Sequence, residues 1–114
     1  MLMKKWKIAS LFLMLAMSGG AHANGAVQGT VSMLIQRASD GLIYVIVNGT
    51  RSGAPGCATA HYWVIANENS EAGKKQFAML MTAYASGGTV LLNGTGTCTR
   101  WLDAEDINEV RLIS

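Results

Sequence analysis

Few side chains in this 114-residue sequence are fit for chemistry, and their spacing limits what they could do. Beyond residue 23 there are two cysteines, Cys57 and Cys98, and one histidine, His61. A zinc site needs clustered ligands, usually including a CxxC pair, and neither a CxxC nor a second nearby His is present. His61, beside Tyr62 and Trp63, reads as a strand histidine rather than a base. Ser and Thr abound, but no GxSxG elbow presents a nucleophile. The Gly94–Cys98 stretch holds half of a dinucleotide-binding fingerprint, without its third glycine or a helix behind it. Asp103, Glu105 and Asp106 crowd together but lack the spacing and the turn glycine of a calcium loop. Asp103 is expected to cap a single helical turn, with the other two acids facing the positive end of its dipole. The sequence therefore reads as a non-enzyme, with no catalytic residue, metal or cofactor expected. What is left for recognition is Arg100-Trp101. An indole beside a guanidinium can stack on a sugar or on a partner's side chain. The competing role is to cover a disulfide and one end of the fold.

The N-terminus places these residues in a compartment. Lys4, Lys5 and Lys7 precede an apolar run, "IASLFLMLAM", and Ala21-His22-Ala23 is a small-x-small cleavage box. Residues 1–23 thus read as a bacterial-type signal peptide that is removed, leaving one domain over 24–114. The run is about 10 residues long, too short to span roughly 30 Å of hydrocarbon, so no membrane span is expected after cleavage. The expected location is the periplasm or the exterior. The remaining 91 residues carry six basic and seven acidic side chains, a net charge of −1. Near neutrality and export both argue against nucleic acid as a partner.

Two cysteines in an exported chain allow one pairing, Cys57 with Cys98. The alternative is a reactive or metal-binding pair, which the missing ligand cluster disfavours. Closing a loop of about 42 residues is worth roughly 4 kcal/mol in the chain-entropy model. A domain this small has a shallow core, so such a link matters.

The elements that must position these residues follow from periodicity and punctuation. Val31, Met33 and Ile35 alternate, which predicts a first strand over 27–36 with those three on one face. Asp40-Gly41 predicts a hairpin turn. "LIYVIV" (42–47) predicts a second strand buried on both faces. The stretch 48–56 predicts a loop and 57–66 a third strand. Ser70 is the expected N-cap of a helix from Glu71 to Ser86, ended by Gly87-Gly88. Phe77, Leu80, Met81 and Tyr84 share one helical face. A fourth strand is expected over 89–92 and a fifth over 108–113. The two Asn-Gly-Thr triplets, at Asn48 and Asn93, read as turns. The order β-β-β-α-β-β predicts a mainly β fold, a five-stranded OB-fold-like Greek-key barrel with one helix between strands three and four.

Three stretches carry a resemblance: "GCATAHYWVI", "AYASGGTVLL" and "GTCTRW". With them the chain resembles the small exported OB-fold proteins similar to the B subunit of subtilase cytotoxin. That resemblance implies a disulfide-tied barrel that assembles as a homopentameric ring and binds cell-surface glycans or another receptor. No glycan-contacting residue maps onto this sequence. The alternative is a small periplasmic protein of the same fold, structural or inhibitory, with a protein partner.

Overall fold

The computed structural model describes residues 23–114. All but the last residue of the expected signal peptide lies outside the described residues. Among the described residues, six strands and one helix follow in chain order: β1 Ala26–Gln36, β2 Ile43–Asn48, β3 Arg51–Ser52, β4 Trp63–Val64, α1 Glu71–Ser86, β5 Thr89–Gly94 and β6 Glu105–Ile113. Five of the strands close a barrel. β1 pairs with β5 over its first half and with β2 over its second. β2 pairs with β4, β4 runs parallel to β6, and β6 pairs with β5. The two-residue β3 sits outside this ring, against the start of β1. The chain is thus mainly β, a closed five-stranded barrel in the order β-β-β-α-β-β, tied by a Cys57–Cys98 disulfide.

One long strand serves two neighbours because it bends. The register slips between Val31 and Met33, which leaves Ser32 as an extra residue in a bulge. The slip also exchanges faces. Val27 and Val31 point into the core, but Met33 is exposed and Leu34 takes the inward position. The expected common face of Val31, Met33 and Ile35 is therefore corrected, because an inserted residue inverts the alternation downstream. In β2, Ile43, Val45 and Val47 are buried, while Tyr44 and Ile46 are half-buried on the outer side. That corrects the expectation of a strand buried on both faces.

The helix packs against β1, β5 and β6. Ser70 caps it by accepting from Gly73 N at 2.9 Å, and Gly87 ends it in the left-handed region. The inward face is Gly73, Leu80 and Ala83, with Phe77 and Met79 packed alongside. Met81 and Tyr84, expected on the buried stripe, are exposed. A Cβ on Gly73 would collide with the Asn67 carbonyl, so the segment before the helix folds back tightly against Gly73.

Two further expectations change. Residues 57–62 are not strand. The disulfide draws Cys57 toward the β5–β6 loop, and only Trp63 and Val64 enter the ladder. No helical turn follows Asp103, because Glu105 and Asp106 open β6 with their carboxylates buried.

Candidate functional site

The β5–β6 loop, 95–104, is built around those two carboxylates. Burying a carboxylate is costly unless its lone pairs are used. Glu105 Oε2 accepts from Gly25 N at 3.0 Å and from Gly96 N at 2.9 Å, and Oε1 accepts from Arg51 Nη2 at 2.9 Å. Asp106 Oδ2 accepts from Thr97 Oγ1, Thr99 N and Thr99 Oγ1 at 3.2, 3.0 and 2.6 Å. Its Oδ1 accepts from Arg100 N at 3.3 Å. A Cβ at Gly94 would strike the Glu105 carboxylate, which explains that glycine. The expected helix-capping role of the acidic cluster is thus replaced by loop anchoring. No group of three or more His, Cys, Asp or Glu among the described residues could hold a metal ion.

So anchored, the loop lies over the outer face of β2 and β4. Leu42, Val64 and Ala104 form a second small core there, covered by Tyr44, Tyr62 and Trp101. Trp101 stacks on Tyr62 with centroids 4.7 Å apart and meets Tyr44 edge-on at 5.1 Å. The Arg37 guanidinium lies 4.9 Å from the Trp101 centroid. Arg100 donates to both Glu68 oxygens at 3.2 and 3.1 Å and to the Asp40 carbonyl at 2.8 Å. That pairing holds the Glu68 carboxyl below its usual range. Burial, and then the nearby Asp103 carboxylate, push the Tyr62 phenol up. The Arg37 guanidinium and the Leu42 amide hold Asp40 at about 2. Arg100 and Trp101 thus sit together at one end of the barrel's outer face, bonded to the β1–β2 turn and the segment before α1.

Farther along β2 opens a cleft of about 430 Å³, within the range of small-ligand sites. Ile46, Asn48 and Gly49 form one wall and Ala58, Thr59, Ala60 and His61 the other, with Ser32 at the bulge lining it too. Val27, Val47, Trp63 and Arg51 also line it, from the barrel's side. The Arg51 guanidinium stands 4.0 Å from the Trp63 centroid and donates to the Ala60 carbonyl at 3.1 Å and to Glu105. Its Nε is buried without a partner among the described residues. His61 is exposed on this wall rather than set in a strand. Sequence reading missed the cleft and Arg51. Both depend on where the 53–62 loop departs from the sheet, and no local signal marks that point.

No family model, curated protein or solved structure matches this chain.

Proposed function

We propose that this protein is an exported, non-enzymatic binding module. Its binding face is the cleft between β2 and the 58–61 wall, together with the Arg100–Trp101 loop. The single observation that carries this reading is the cleft itself: a concave site beside β2, lined partly by core side chains and walled by a disulfide-tied loop. OB-type barrels bind saccharides and other extended ligands through this strand face and its flanking loops. The cleft lining holds one imidazole and no carboxylate, which suits recognition better than acid–base chemistry. A disulfide is also the kind of link that an oxidising compartment sustains.

The resemblance noted from sequence makes a cell-surface glycan or receptor the first ligand class, and a homopentamer the assembly. Exposed apolar residues support the assembly. Met81 is 46% and Tyr84 56% exposed on α1, and Leu112 is 45% exposed on β6. Light scattering tests the ring, with five times the chain mass expected and a monomer overturning it. A glycan array tests the ligand class. Hits that disappear on filling the cleft with Ala58→Trp support it, and hits indifferent to that change overturn the cleft as the site.

A further inference from the structure

The cleft borders an unfinished strand edge. Ile43 O accepts from Ile65 N at 3.0 Å on the β4 side of β2. Backbone groups alternate along a strand, so Ile43, Val45 and Val47 all direct their N–H and C=O to that side. β4 pairs with Tyr44 and Val45 and extends no further along β2. Among the described residues, no backbone hydrogen bond joins Val47 to the 53–62 loop that leads into β4. Val47 instead lines the cleft. One N–H and one C=O, fixed at strand spacing, thus face its interior. The cleft carries little net charge, because Arg51 is offset by Glu105. Its lining also includes the small side chains of Ala58 and Ala60.

We infer that the cleft takes an extended, uncharged peptide segment of a partner protein, which adds to the β2 edge at Val47. A strand residue offers an N–H and a C=O at the spacing that Val47 presents, and an extended peptide is the ligand that matches both at once. Small or β-branched side chains on alternate residues fit between Ile46 and the alanine wall. This inference rests on the binding reading above and names the occupant of that same site.

The test titrates the 15N-labelled protein with a blocked pentapeptide, acetyl-Thr-Val-Thr-Val-Thr-amide. The Val47 and His61 amide signals should shift, and exchange of the Val47 N–H should slow about ten-fold or more at saturation. Ala58→Trp should abolish both effects with an unchanged circular dichroism spectrum. If that variant does not fold, Thr59→Trp, at an exposed position on the same wall, replaces it. Val47 shifts that persist in the blocked variant overturn the inference. So does a Val47 amide already protected to the global limit in the free protein. Maltotriose serves as the saccharide arm. If it shifts these signals and the peptide does not, the peptide falls and the binding reading stands. If neither shifts any signal of the cleft, both fall.

Discussion

Glu105 ties together three parts of this fold that are far apart in the chain. Its carboxylate is fully buried and joins the start of β1, the β5–β6 loop and Arg51 through three hydrogen bonds. Removing one partner of a buried pair leaves the other uncompensated, typically costing about 3–5 kcal/mol. Glu105→Ala should therefore lower unfolding free energy by about 3–5 kcal/mol, read from urea midpoints. A loss within the range of a surface substitution would refute the anchoring role. Asp40 makes a pH prediction. Its carboxyl is depressed to about 2 by Arg37 and the Leu42 amide. A depressed acid contributes stability that is full above its unfolded value of about 4 and is lost as pH falls through about 2. Glu68, held low by Arg100, acts in the same direction. Asp40→Asn should thus flatten the acid limb of stability between pH 5 and 2. An acid limb as steep as that of the unmodified protein would refute this.

At the scale of elements, the helix tests whether propensity or packing governs. On an exposed helix, Gly→Ala gains up to about 1 kcal/mol. At Gly73 the added Cβ would meet the Asn67 carbonyl. Gly73→Ala should therefore destabilise the protein, with a lowered melting temperature by calorimetry. A raised one would show that the segment before α1 yields easily. The same helix shows how far local signals reach. Ser70, Glu71 and Gly87-Gly88 specify its two ends, because capping satisfies groups within one turn. Its inward face was legible in part. Phe77 and Leu80 of the expected stripe pack on the core, while Met81 and Tyr84 are exposed and Gly73 and Ala83 are buried instead.

For the whole molecule, the disulfide joins the loop that walls the cleft to the loop that covers β2 and β4. Its two cysteines lie 41 residues apart with Cα atoms at 6.2 Å. Cys98→Ser should lower stability by about 2–5 kcal/mol, measured by denaturant unfolding without reductant. A change below 1 kcal/mol would show that the Asp106 hydrogen bonds hold the loop without it. The sequence by itself determined the helix ends, the hairpin turn, the cysteine pair and the order of strands around one helix. These depend on residues near one another in the chain, or on a pairing with only one solution. Only the tertiary structure decided that Ser32 bulges and turns Met33 outward, that residues 57–62 leave the sheet, and that Glu105 and Asp106 are buried anchors. Glu105 reaches Gly25 across 80 residues. A carboxylate with such partners looks, in sequence, like any acid near a turn. Whether it faces water or the core is settled only when the barrel closes.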